Sequence, residues 1–226
     1  MHDNILRLRV VAEGLGDLCE EMVFVGGSVT CLYADDAAAS DIRPTKDVDC
    51  VTEIASYDSY ETLEERLRAR GFANDIESGV ICRWRYKGQI IDIMPDDAKI
   101  LGFYNPWYAE GYRNKIVADI GLGQRISIFP VLYFLASKIE ALTAKGGTDW
   151  RLSHDFEDII YVLNNNTNIE ETFNNERDNW LKTYLRNWTA EVTKRPNYSE
   201  EIECVLPYGE SQRFDHIKRI LQTFSS

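Results

Sequence analysis

Apolar positions Ile5, Leu6, Leu8, Val10, Val11, Leu15 and Leu18 recur at helical spacing and predict an amphipathic helix over residues 3–21. The four-residue apolar run Met22–Val25 follows and reads as a first strand. Ser28 is placed to cap a short helix that ends near Tyr33, and residues 34–44, rich in Asp, Ala, Ser and Pro, predict a loop. A second strand is expected over 47–54, then a helix over 57–70 with Tyr60, Leu63 and Leu67 on one face and Gly71 as its stop. Residues 79–86 alternate. Val80, Cys82, Trp84 and Tyr86 take one side and Ile81, Arg83 and Arg85 the other, with Lys87-Gly88 as a turn into a strand over 89–94. The aromatic-rich stretch 96–115 reads as irregular cover. Residues 125–128 predict a short edge strand. Pro130 opens a helix to about Thr143 with Leu132, Leu135, Ile139 and Leu142 as its buried stripe. Further helices are expected from Asp149 or Ser153 onward, over 169–193 and over 210–223, with a turn at Pro207-Tyr208-Gly209.

This order predicts an α+β fold, a mixed sheet flanked by helices and followed by a C-terminal helical part. The expected modules are residues 1–128 and 129–226. No Pro/Gly/Ser linker lies between them, so one body is expected, and no internal repeat is visible.

Composition narrows the function. The apolar fraction of 44% among 226 residues suffices for a real core. No run of about 18 apolar residues occurs, so no membrane span or membrane partner is expected. The N-terminus lacks the basic start and apolar stretch of a signal peptide. Five scattered cysteines without a Cys-x-x-Cys pair point to reduced thiols in a cytoplasmic protein and away from structural zinc. The net charge of −12 argues against a broad nucleic-acid surface, though not against a local basic groove.

Within this frame one stretch carries chemistry. Gly26, Gly27 and Ser28 follow the first strand directly, the layout of a phosphate cradle, where backbone N–H groups approach an anion. Asp47 and Asp49 alternate with Val48 and Cys50, so on a strand both carboxylates share one face. Asp92, within Ile-Ile-Asp-Ile-Met, adds a third strand acid. Neighbouring like charges repel unless a cation joins them, and Mg²⁺ or Mn²⁺ prefers such oxygen ligands and shares them with phosphates. The reading is a nucleoside triphosphate site with Asp47, Asp49 and Asp92 as metal ligands.

Together, Val25-Gly26-Gly27-Ser28, Arg43-Pro44-Thr45-Lys46-Asp47-Val48-Asp49 and Ile91-Asp92-Ile93-Met94-Pro95 make the sequence resemble the DNA polymerase β-like nucleotidyltransferase superfamily, and within it the AbiEii/AbiGii-type toxin family. Ile100-Leu101-Gly102-Phe103, Trp107-Tyr108, the segment 134–141 around Lys138 and the segment 153–160 around Asp155 agree in order. The resemblance implies a polymerase β-like fold and transfer of a nucleoside monophosphate from an NTP to an acceptor hydroxyl, on an RNA 3′ end (tRNA) or a protein. It also implies a cognate antitoxin as partner. By the same resemblance Gly27 and Ser28 hold the triphosphate, Ser28 through its hydroxyl and backbone. Asp92 completes the metal set and helps deprotonate the acceptor. Lys138 lies near the phosphates or the metal carboxylates, and Asp155 is the acid of a last motif. Eighteen residues separate Ser28 from Asp47, more than is usual in the superfamily, and the excess falls in the 35–41 loop.

Blander readings stand beside these. Arg43 and Lys46 serve either as phosphate clamps or as local partners of the neighbouring acids. Lys138 reads equally as a solvent-facing lysine, and Asp155 and Asp158 as solvated acids near a helix start. Arg83 and Arg85 belong to an outer sheet face or meet a nucleotide. Trp84, Trp107 and Tyr108 pack in a core or stack on a base. At the level of the whole chain the alternatives are a non-catalytic nucleotide-binding module of the same fold and a phosphotransferase.

Overall fold

The structure is a computed structural model that describes residues 2–54, 56–96, 105–146, 149–210 and 212–225. The motif residues Ile100, Leu101, Gly102 and Phe103 lie outside the described residues. The chain folds as two compact units. The first is Met1–Val29 with Arg43–Pro130, and the second is Thr30–Ile42 with Val131–Ser226. The units meet in sequence at Pro130 and Val131, and Thr30–Ile42 belongs with the helical unit.

The first unit is α+β. Its mixed sheet contains β1 (Met22–Val25), β2 (Asp47–Thr52), β3 (Ala73–Asn74), β4 (Arg83–Tyr86), β5 (Gln89–Pro95), β6 (Ile116–Gly121) and β7 (Gln124–Ile128), in the order β3-β4-β5-β2-β1-β7-β6. β2 runs antiparallel to β1 and parallel to β5, and β7 runs parallel to β1. β1 is buried along its length. Helix α1 (Asp3–Leu15) places Leu8, Val11 and Leu15 in the core, and a 3₁₀ turn, Gly16–Glu21, replaces the last part of the expected long helix. Helix α2 (Tyr57–Ala69) is capped by Ser56 and buries Tyr60, Leu63 and Leu67 as the periodicity predicts. Helix α3 (Tyr108–Arg113) lies within the stretch read as irregular.

Local chemistry explains the departures. The β4–β5 hairpin turns at Lys87-Gly88, both at positive φ, which suits a tight two-residue connection. β4 is shorter than expected because Gly79 sits at φ 71° and closes a 3₁₀ turn, Ile76–Ser78, before it. β7 is not an edge strand: it lies between β1 and β6, and the unpredicted β6 takes the edge. β6 has mostly exposed side chains, which leaves no alternation to read.

The second unit is helical. It contains α4 (Val131–Ala144), α5 (His154–Asn165), α6 (Ile169–Asn175), α7 (Asn179–Lys194), α8 (Tyr198–Val205) and α9 (Arg213–Ser225). The predicted 169–193 helix is two helices, because Asp178 caps a new one through the Trp180 and Leu181 amides. α4 is enclosed on all sides from Leu132 to Ile139, not along one stripe. Thr30–Ile42 is tied to this unit at the end of α5. The Asp35 and Asp36 amides donate to the Asn165 carbonyl at 3.0 and 3.1 Å, and Asn166 Nδ2 donates to the Tyr33 carbonyl at 2.7 Å.

Candidate functional site

Register brings the three strand acids of the first unit onto one face. Asp49 is opposite Asp92 across the parallel β2–β5 pair, and Asp47 is two residues before Asp49. Val48, Cys50, Ile91 and Ile93 point the other way and are buried. That opposite face also carries Tyr86, whose ring lies against Gly14 of α1 and stacks on Phe72 at 4.4 Å between centroids. The acids therefore lie on the face that α1 leaves uncovered. Asp47 and Asp49 are half-buried and Asp92 is buried.

The glycine turn meets the second acid. Val25 is in register with Asp49, and Gly26 has φ 71°. A Cβ at Gly26 would collide with Asp49 Oδ2, far inside van der Waals contact. Two demands thus fix glycine here: a left-handed backbone and the space taken by the carboxylate. Gly27 opens a 3₁₀ segment, Gly27–Tyr33, and is buried. Ser28 departs from expectation. It lies inside that segment rather than capping a helix, its side chain is wholly enclosed, and its hydroxyl donates to the Val25 carbonyl at 3.4 Å. The hydroxyl in this arrangement braces the turn.

Arg83 is the residue that sequence reasoning places ambiguously. It sits opposite Asp92 across the β4–β5 pair and grips it with two parallel bonds, Nε to Oδ1 at 2.8 Å and Nη2 to Oδ2 at 2.7 Å. The same Nη2 is 3.6 Å from Asp47 Oδ2. Asp92, followed by the nearby Asp47, holds the guanidinium protonated more firmly than a free arginine. Arg85, two residues on, instead pairs with buried Asp75 at 2.8 Å.

A hard divalent cation suits this donor set in kind: the donors are carboxylate oxygens on one sheet face, and two of the acids already share one positive group. Among the described residues no three His, Cys, Asp or Glu side chains close around a common metal position.

Asn4 escapes the sequence reading. It is fully buried on α1, and its Oδ1 accepts from the Thr45 amide at 2.9 Å while Nδ2 donates to the Arg43 carbonyl at 3.3 Å. Thr45 Oγ1 then donates to the Asp47 carbonyl at 3.0 Å. Asn4 thereby anchors the approach to β2. Its one signal is an amide at the i−4 position before Leu8, on the apolar face of a helix. Arg43 itself is half-buried and Lys46 is exposed.

In the second unit Lys138 and Asp155 are not solvent-facing. Lys138 Nζ is 2.6 Å from Asp158 Oδ2 and 3.1 Å from Asp155 Oδ1, and Lys145 Nζ reaches Asp155 Oδ2 at 2.5 Å. Asp158 has no exposed surface. Burial pushes the Asp155 carboxyl up, but Lys138 and Lys145 more than offset it and hold it below the ordinary carboxylate value. Ser153 caps α5 through the Phe156 amide and presents Asp155 in the first turn, while His154 points outward beside Glu157.

Other candidates resolve toward packing. Trp84 and Trp107 have no exposed surface, so neither offers a face to a base. Tyr108 is half-buried, with its hydroxyl 3.8 Å from Met94 Sδ. Burial pushes the thiol of Cys50 well above its ordinary value and that of Cys82 up to about 11, which leaves both poor nucleophiles. No described helix is long and apolar enough to cross a membrane.

No family model and no curated protein matches the sequence. Among solved structures, the crystal structure of JHP933 from Helicobacter pylori is similar over all of this chain and 93% of that one, at 11% identity and a TM-score of 0.47.

Proposed function

We propose that the protein is a metal-dependent nucleotidyltransferase that moves a nucleoside monophosphate from an NTP to an acceptor hydroxyl, releasing pyrophosphate. One observation carries the reading: the left-handed Gly26 turn abuts Asp49, and Asp49 lies in register with Asp92 on the face that also bears Asp47. The resemblance to AbiEii/AbiGii-type toxins supports the same chemistry and suggests a toxin with a cognate antitoxin, with an RNA 3′ end or a protein hydroxyl as acceptor.

Asp47, Asp49 and Asp92 would hold Mg²⁺ or Mn²⁺, which supplies charge neutralisation at the triphosphate and its leaving group. The Gly26-Gly27 backbone shapes the turn beside the acids. Asp92, buried on the interior strand β5, is the acid to which the resemblance gives a part in removing the acceptor proton. Arg43 and Lys46, on the approach to β2, are the basic groups nearest in sequence for the phosphates. Lys138 and Asp155 contribute to the helical unit as a buried ion pair, and the resemblance assigns them to the same reaction.

Purified protein incubated with labelled NTPs, Mg²⁺ and total RNA or cell lysate tests this. Label on an RNA or protein acceptor is expected, and Asp49→Asn abolishes it with the fold intact. Absence of label on every acceptor refutes the proposal, and ADP release in place of pyrophosphate makes the protein a phosphotransferase. The bidentate Arg83–Asp92 pair favours a second reading, a nucleotide-binding module without catalysis, in which Arg83 permanently neutralises the site. That reading predicts nucleotide binding without transfer.

A further inference from the structure

The acid face carries a charged residue that nucleotidyl transfer as proposed does not use. Arg83 enters from β4, grips Asp92 on the neighbouring β5, and extends its outer nitrogen toward Asp47 on β2. A single guanidinium thus touches one of the three acids and approaches a second. Its side chain is 23% exposed and that of Asp92 13%, so the pair is partly withdrawn from water and is less screened by salt than a surface bridge. A cavity of about 400 Å³ borders Arg83 and is lined also by Arg68, Asp75, Ile76, Val80 and Ile81. Open space therefore borders the residue that holds the carboxylates.

We propose that Arg83 competes with the divalent cation for Asp92 and Asp47, serving as the resting counter-ion of the site, so that cation binding requires the guanidinium to move away. This rests on the metal set of the nucleotidyltransferase reading. Three consequences follow from the geometry. The three carboxylates can coexist on one face without metal, because Arg83 offsets part of their repulsion. The apparent cation affinity is reduced by the fraction of molecules in which Arg83 is latched. A triphosphate, by offering the guanidinium another anionic partner, raises cation affinity, and the cation raises triphosphate affinity by the same factor.

The test is Mn²⁺ binding to the full chain, read from the spectroscopic signal of free aqueous Mn²⁺ and independent of turnover. Arg83→Gln removes the competitor and is expected to bind Mn²⁺ at least about tenfold more tightly than wild type. Arg83→Lys, which keeps the charge but loses the fork, falls between them. Circular dichroism checks the fold, and if Arg83→Gln does not fold, the wild-type comparison with Arg83→Lys carries the test. Equal or weaker Mn²⁺ binding in the folded Arg83 variants overturns the competition while leaving the metal site in place. Failure of every form, wild type included, to bind Mn²⁺ overturns the metal reading itself and the competition with it.

Discussion

Replacing Lys138 with methionine keeps most of the volume of the side chain and removes its charge. The structure sets what this costs. Asp158 has no exposed surface and faces Lys138 Nζ at 2.6 Å, whereas Asp155 retains Lys145 at 2.5 Å. The substitution therefore takes the lysine from one fully enclosed carboxylate and only weakens the other. Removing one partner of a buried pair costs about 3–5 kcal/mol, because the charge left behind has lost both water and counter-ion. For a chain of this size that lowers the melting temperature by about 6–20 °C. Lys145→Met gives the contrast: its side chain is 67% exposed, and loss of such a bridge costs about 1 kcal/mol or less. The double variant Lys138→Met/Asp158→Leu removes the buried carboxylate with the cation and should regain most of the loss, giving a large coupling energy. Urea denaturation followed by circular dichroism, together with the fluorescence of Trp150 and Trp188, which lie in the same helical unit, measures all three. If Lys138→Met lies within about 1 kcal/mol of wild type, the reasoning fails, since Asp158 would then have an adequate partner without the lysine.

Gly26→Ala must adopt φ 71° and displace the Asp49 carboxylate, so a loss of about 1–2 kcal/mol in denaturant titration is expected, with nucleotide transfer impaired. Asn4→Ala leaves the Thr45 amide without its acceptor and should cost about 1–3 kcal/mol, again by denaturation, while weakening Mn²⁺ binding through the unanchored Asp47. The Asp155 carboxyl, held low in the native state by its lysines, contributes stability that is fully present above its unfolded value of about 3.9. In the window between the two values the unfolded chain binds the proton and the native chain does not, so stability falls as pH drops through it. Asp155→Asn removes this dependence, and the denaturation midpoints of the two proteins should converge in acid.

Local signals make the sheet side of the molecule readable. The four-residue apolar run sets β1, the Asp-Val-Asp-Cys alternation sets the inward and outward faces of β2, and Lys-Gly sets the β4–β5 turn. The same period of two correctly implies that Asp47 and Asp49 share a face. What it does not supply is the partner of Asp92, because Arg83 is nine residues away and meets it only once the hairpin closes. Alternation places Arg83 on the face opposite Trp84 but does not say whether that face meets solvent or acids. Ser28 misleads for a related reason: a serine after two glycines suggests a cap, yet the chain turns as a 3₁₀ segment and encloses the hydroxyl. In the helical unit the apolar stripe of α4 conceals an ion pair, since a lysine within such a stripe reads as snorkelling until the facing carboxylates on α5 are known. Asn4 meets the same limit, its partners lying some forty residues ahead.

The placement of Thr30–Ile42 has a consequence for biosynthesis. Those residues leave the ribosome early, between a strand that needs them only as a tether and a second strand that can pair with the first at once. The groups that receive the Asp35 and Asp36 amides, at Asn165, are translated more than a hundred residues later. The docking of Thr30–Ile42 therefore waits for α5, and polypeptides truncated near Pro130 would carry that segment with nothing to receive its amides.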